Sequence, residues 1–211
     1  MSRRLAAWAG MAGPTLFVFV FTLEGWLRSG YNSFSMYVSE LSLGSLGSIQ
    51  IANFLAYSVL FLLFTRGIAA EFKEGKASKA GPLLLTLIGV GLFISGVFVT
   101  GAIPANGMQA AVSWHGMIHG LAGAFVFLAM PLSCFVFARR FREDPRWRSL
   151  YAWTLAAGVV VTLAVVLMRA GPILQPAGIF DFDAWRGIIQ RVAIITHAAW
   201  IFTLARHLRY V

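Results

Sequence analysis

Residues 82–103 read PLLLTLIGVGLFISGVFVTGAI, a run of 22 residues without a charged side chain. The hydrocarbon core of a bilayer is about 30 Å thick, and a helix needs about 20 apolar residues to cross it. A barrel strand would need only about half that length, so this stretch predicts a membrane-spanning helix. Five further segments of the chain have a similar length and character. The predicted spans are 5–23, 49–65, 82–103, 115–138, 149–168 and 186–205.

The composition of the 211-residue chain agrees with this assignment. Apolar residues make up 59% and charged residues 12%, and the mean hydropathy is +0.77. Soluble domains average about 45–50% apolar and about 25% charged residues. The six spans use most of the chain and leave no room for a separate soluble domain. We therefore predict an all-α polytopic membrane protein, a single six-helix transmembrane bundle over residues 1–211.

The distribution of Lys and Arg predicts the orientation of the bundle. Of the 17 basic residues, 13 lie at the two termini and in loops 66–81 and 139–148. The positive-inside rule then makes both termini cytoplasmic and turns loops 24–48, 104–114 and 169–185 outward. The net charge of +9 is thereby explained by topology. We predict a multi-pass protein of the cytoplasmic (inner) membrane that binds no nucleic acid.

Polar residues concentrate on the predicted outward side, where topology does not require them. Loop 24–48 carries Glu24, Arg28 and Glu40 among aromatic residues. It is longer than the usual connection between packed helices, and we expect a short amphipathic helix around residues 35–43. The alternative is a belt of interfacial aromatic residues without a ligand, which explains Glu40 least well.

Other spans contribute polar groups at a similar depth, and ionisable groups inside a membrane are by default functional hypotheses. We predict an outward-opening pocket that binds a membrane lipid or a small amphiphile. Its predicted ligand-binding residues are Glu24, Arg28, Glu40, Asn53, Arg169, Gln190 and Arg191. The guanidinium group of Arg191 is suited to a lipid phosphate, and the alternative is an internal salt bridge.

Three histidines raise a second hypothesis. His115 and His119 share one face of the fourth span, and His197 lies near mid-membrane in the sixth. Together they could bind zinc in an intramembrane metal-dependent hydrolase, and His119 with His197 could bind haem. Depth opposes both ideas, because helical rise places His119 about 8 Å and His197 about 16 Å below the interface. The alternative is that each imidazole forms hydrogen bonds between helices.

A third hypothesis rests on Gly116 and Gly120, which form a GxxxG pair in the fourth span. Such a pair allows another helix to approach closely. The protein would then be a structural or accessory subunit that forms a homo-oligomer or binds a membrane partner through these glycines.

Several motifs carry a family resemblance that covers nearly the whole chain in order. They are Glu24-Gly25-x-x-Arg28-x-Gly30-Tyr31, Ser39-Glu40-Leu41-Ser42, His115-Gly116-x-x-His119 and Gln190-Arg191. The chain resembles a bacterial and archaeal family of six-span membrane proteins catalogued only as a domain of unknown function. That family usually has Asp-Pro after the third span and Glu-Arg in the sixth. Here the chain has Ala102-Ile103-Pro104 and Gln190-Arg191, so two acids are missing. The resemblance implies a fold and a location but no activity.

Overall fold

The computed structural model describes residues 2–101 and 113–211, and these ranges contain only helices and their connections. Six helices are long and apolar enough to cross a membrane. They are α1 (Arg3–Leu27), α2 (Gly47–Glu71), α3 (Ala80–Val97), α4 (Trp114–Phe141), α5 (Tyr151–Leu174) and α6 (Phe182–Leu208). Short 3₁₀ helices occur at Val38–Ser42 and Arg148–Leu150. The predicted fold class, an all-α six-helix membrane bundle, is confirmed.

Three of these six helices begin at a side-chain cap. The side chains of Ser2, Ser113 and Asp181 accept backbone N–H groups in the first turns of α1, α4 and α6. Such caps satisfy amide groups that have no partner within the helix. The third predicted span is longer than α3, which ends at Val97. Its residues 102–103, and nearly all of predicted loop 104–114, lie outside the described residues.

The six helices form a closed ring. Each helix packs against the next one along the chain, and α6 packs against α1. An even number of alternating helices brings both termini to one end, which we call the basic end. There Glu71 lies 3.0 Å from the Arg3 guanidinium and 2.7 Å from that of Arg146. The opposite end, which we call the loop end, carries the long connection between α1 and α2. Which end faces the cytoplasm stays a prediction.

Side chains from all six helices fill the ring. Trp200 of α6 is fully buried, with its ring 5.9 Å from that of Phe137 in α4. Its Nε1 donates a hydrogen bond to Thr154 Oγ1 in α5, at 3.0 Å. Large apolar side chains instead cover the outer surface of the ring, where Phe19 and Phe125 are 61% and 64% exposed. An apolar exterior is the surface that lipid requires.

Candidate functional site at the loop end

The connection between α1 and α2, residues 28–46, folds back over the loop end of the ring, and we call it the strap. Its 3₁₀ helix Val38–Ser42 is buried at every position and packs against α1, α2 and α6. The sequence led us to expect an amphipathic helix around residues 35–43. The segment is shorter and has no exposed face, because it is packed against α1, α2 and α6.

The first turns of α6 hold the strap. The N–H groups of Gly187 and Ile188 donate to the carbonyl oxygen of Phe34, at 2.8 and 3.2 Å. Gln190 Oε1 accepts the Val38 N–H at 2.7 Å. A methyl group at Gly187 would lie 2.5 Å from the carbonyl oxygens of Ser33 and Met36. Glycine is therefore required here for close approach of the strap.

Arg191 is buried and binds the same part of the strap. Its Nη1 donates to the carbonyl oxygens of Ser33 and Met36, at 2.7 and 2.9 Å, and its Nη2 donates to the Tyr31 hydroxyl. Within the described residues it forms no ion pair. Backbone carbonyl groups thus take the place of the carboxylate that the salt-bridge alternative required. The guanidinium group of Arg191 therefore holds the strap in place through these hydrogen bonds.

Arg28 fastens the other end of the 3₁₀ helix. Its Nη1 donates to the Leu41 carbonyl oxygen at 2.7 Å, and its Nη2 donates to the Leu43 carbonyl oxygen. The Glu24 carboxylate lies 3.7 Å from Nη1, four residues earlier along α1. The predicted binding residues Glu24 and Arg28 therefore both face the interior of the protein.

Glu40 is the third residue of the 3₁₀ helix, and its side chain caps the start of that helix. Its Oε2 accepts the Tyr37 N–H at 2.6 Å, and the residue is 3% exposed. Burial raises the pKa of Glu40 above its ordinary value, although the Tyr37 N–H and the charges of Arg186 and Arg191 oppose the change. Its hydrogen bond to the Tyr37 N–H gives a structural role to an acid that the aromatic-belt alternative left unexplained.

A layer of buried polar side chains connects α1, α2 and the strap. Asn53 Nδ2 donates to the Phe17 carbonyl oxygen and to Gln50 Oε1, each at 3.1 Å. Within the described residues, five atoms of this layer have no hydrogen-bond partner. They are Glu24 Oε1 and Oε2, Ser42 Oγ, Gln50 Nε2 and Asn53 Oδ1. Sequence reasoning missed Gln50 and Ser42. Arg169, in contrast, is exposed on α5 and lies outside this layer.

A cavity of about 50 Å³ lies inside the ring beneath the strap. Most of its lining is aromatic or aliphatic, and Phe17, Phe54 and Met130 contribute to it. Five residues with polar side-chain groups also line it, namely Ser39 of the strap, Tyr57 of α2, Ser95 of α3, His119 of α4 and Gln190 of α6. The cavity therefore brings together two predicted site residues, His119 and Gln190, that the sequence had assigned to different hypotheses.

The hydrogen bonds of His119 define its tautomer. Nδ1 lies 2.8 Å from the Phe98 carbonyl oxygen and 3.2 Å from that of Ser95. Both are acceptors, so Nδ1 carries the proton and Nε2 of the neutral ring is an acceptor. Neither His119 Nε2 nor Gln190 Nε2 has a hydrogen-bond partner within the described residues. The cavity thus adjoins one ring acceptor and one amide donor.

The three histidines have separate surroundings. His115 is exposed and lies against Trp114, whereas His197 is buried with its Nε2 3.4 Å from Ser133 Oγ. Over residues 2–101 and 113–211, no three His, Cys, Asp or Glu side chains come together as a group that could hold a metal ion. The structure does not bring His115, His119 and His197 together as the zinc hypothesis requires. The fixed contacts of His119 Nδ1 agree with hydrogen bonding between helices.

The two glycines of the GxxxG pair differ in their environment. Gly116 is partly buried against the backbone of Gly101 in the same chain, at 3.1 Å from an added Cβ. Gly120 is exposed, and an added Cβ would have no neighbour within 4 Å. Association through these residues stays a prediction.

Sequence comparison identifies the family of this chain. A family model described as "Protein of unknown function (DUF998)" matches residues 11–207, and the chain belongs to this family. No curated protein and no solved structure matches it.

Proposed function

We propose, for this member of a family without an assigned function, that it binds one end of a membrane lipid or small amphiphile in the cavity beneath the strap. The observation that carries the proposal is the cavity itself, which is apolar over most of its surface and has a few polar groups within it. This combination is typical of small-molecule sites. In this proposal the ligand is bound by residues that line the cavity and not by the arginines that the sequence suggested.

The size of the cavity limits what enters it. One water molecule needs about 10–15 Å³ of such a volume, so a cavity of about 50 Å³ accommodates roughly three or four heavy atoms. That is the end of a ligand and not a whole lipid. The remainder of the ligand would extend into the bilayer.

The wall formed by α4 is the proposed route of entry. Gly123 and Phe127 line the cavity and are both partly exposed on the outside of the ring. Gly123 has no side chain, and a Cβ added there would meet no atom within 4 Å. Only a thin wall therefore separates the cavity from the acyl chains of the surrounding lipid.

The strap closes the cavity at the loop end. Val38 and Ser39 belong both to the 3₁₀ helix and to the cavity lining. Gln190 also lines the cavity, and its Oε1 holds the Val38 N–H. Several of the predicted binding residues, among them Arg28, Glu40 and Arg191, would then act by keeping this closure in place.

The test is a pair of glycine substitutions on α4. Gly123→Leu adds four carbon atoms beside a cavity of similar capacity, and Gly120→Leu adds them on the exposed face. Both glycines have open space around an added Cβ. Native mass spectrometry of protein extracted in mild detergent would measure the amphiphile that remains bound.

We expect the wild type and Gly120→Leu to retain about one equivalent of a bound amphiphile and Gly123→Leu to lose it. Lipid on the outer surface would affect all three proteins alike, so the difference reports the cavity. Equal retention in Gly123→Leu and Gly120→Leu, or no bound molecule in the wild type, would overturn the proposal.

A further inference from the structure

We infer that the end of the ligand that enters the cavity is a hydroxyl group, which makes the ligand a membrane-soluble alcohol. This inference rests on the proposed function and adds the chemical class of the ligand. It follows from two residues that line one cavity, His119 and Gln190, whose Nε2 atoms need opposite hydrogen-bond partners.

The requirement at His119 is a hydrogen-bond donor. Phe98 and Ser95 both present carbonyl oxygens to Nδ1, so the proton of the neutral ring is on Nδ1. Nε2 therefore carries a lone pair. His119 is 8% exposed and lines the cavity, and residues 2–101 and 113–211 offer no partner for this lone pair, so we place its partner inside the cavity. A ligand without a donor would leave the lone pair unsatisfied, which is unfavourable away from water.

The requirement at Gln190 is a hydrogen-bond acceptor. Its Oε1 is identified by the bond that it accepts from the Val38 N–H at 2.7 Å, because an amide nitrogen could not accept there. The Nε2 group is then a donor, in a residue that is 7% exposed and lines the cavity. Ser39 and Ser95 add hydroxyl groups to the same lining.

A hydroxyl group meets both requirements with a single heavy atom. Its proton can be donated to His119 Nε2, and its oxygen can accept from Gln190 Nε2. An ether or ester oxygen accepts but cannot donate, so it leaves His119 unsatisfied. A carboxylate has the same defect and brings an unpaired charge into an apolar cavity. An ammonium group donates but cannot accept. The limited volume of about 50 Å³ also favours the smallest group.

The test compares three probes of equal chain length on the full-length protein in detergent. They are a diazirine-labelled decan-1-ol, its methyl ether and the corresponding decane. After illumination, fragmentation mass spectrometry counts crosslinks at the individual cavity residues Leu92, Val126 and Ile194. We expect the alcohol to label these residues at least about fivefold more than the ether or the alkane, since one net hydrogen bond is at stake.

The matched variant is His119→Asn. The Asn amide can keep a nitrogen donor near the position of Nδ1, so the contacts to α3 are retained while the Nε2 acceptor is removed. We expect the alcohol and the ether to label this variant about equally, so that the ratio of their crosslinking falls to about 1. A preference that survives in His119→Asn would overturn the assigned role of Nε2.

Two other results separate this inference from the proposed function. Equal labelling by all three probes, lost in Gly123→Leu and kept in Gly120→Leu, would overturn the hydroxyl inference and leave amphiphile binding intact. Labelling of the cavity residues by none of the probes would overturn both. Labelling of lipid-facing residues alone counts as this second result.

Discussion

Substitution of Gly187 by alanine tests whether the strap is fastened to α6 as described. Alanine is the better helix former by about 1 kcal/mol, so local propensity alone predicts a more stable protein. The structure predicts the opposite. The added methyl group would lie 2.5 Å from the carbonyl oxygens of Ser33 and Met36 and 2.8 Å from that of Phe34. Comfortable carbon–oxygen contacts begin at about 3.3 Å, so the strap must move outward by about 0.8 Å.

The cost of this movement can be worked out from the contacts it breaks. The bonds from Gly187 N and Ile188 N to the Phe34 carbonyl oxygen are 2.8 and 3.2 Å long and would both be lost. Each contributes about 1 kcal/mol, and a weakened bond from the charged Arg191 adds about 2 kcal/mol. Less the gain in helix propensity, Gly187→Ala should lower the free energy of unfolding by about 3 kcal/mol. For a chain of this length the melting temperature should fall by about 6–12 °C.

The assay uses the single cysteine of the chain. Cys134 is fully buried, so a thiol-reactive fluorogenic maleimide reacts with it only as the bundle opens. Gly120→Ala is the matched control, because it makes the same change on α4 at a position with open space. It should unfold at or slightly above the temperature of the wild type. If Gly187→Ala unfolds at the same temperature as Gly120→Ala, the strap is not docked against Gly187 and the reasoning is refuted.

Three further predictions concern single side chains. Burial raises the pKa of Glu40, so its ionisation opposes folding. The wild type should therefore lose stability relative to Glu40→Gln as the pH rises from about 4.5, and the difference should level off once Glu40 is ionised. A stability difference that does not change with pH contradicts this prediction. Glu71→Gln removes ion pairs of 3.0 and 2.7 Å to the half-exposed Arg3 and Arg146. In thermal unfolding this substitution should cost about 1 kcal/mol of stability at low salt and less at 1 M salt. A cost that does not depend on salt would argue against ion pairing. Trp200→Phe removes the 3.0 Å hydrogen bond to Thr154 and some buried ring volume, so denaturation should show a free energy of unfolding lower by about 2 kcal/mol. The double variant with Thr154→Val should lose less stability than the sum of the two single variants. Strict additivity would indicate that the bond contributes nothing.

The helices could be predicted because the bilayer leaves few alternatives. Backbone groups within lipid must be paired inside the segment, so a run such as residues 82–103 has to form a helix if it crosses the membrane. The structure adds the caps Ser2, Ser113 and Asp181, where short polar side chains satisfy free amides. Apolar length alone could not predict that α3 ends at Val97.

The partners of the charged residues were less predictable. The sequence singled out Arg28 because topology does not require a cation in loop 24–48, and Arg191 because an ionisable group within a span is costly. Both side chains are in fact held within the protein. Their partners are carbonyl oxygens of the strap, which every residue possesses and which no sequence pattern marks. Gly187 was missed, although it lies four residues before Arg191 on the same face of α6, where a small residue could have been noticed.

The sequence by itself determined six membrane-spanning helices, the concentration of basic residues at one end and the residues whose burial demands an explanation. These follow from hydropathy and charge, which are properties of single residues and short segments. Only the tertiary structure decided that the helices close into a ring, that the strap is bound by α6, and that His119 and Gln190 line one cavity. These features depend on distances between residues far apart in the chain, and packing sets such distances only when all six helices are in place.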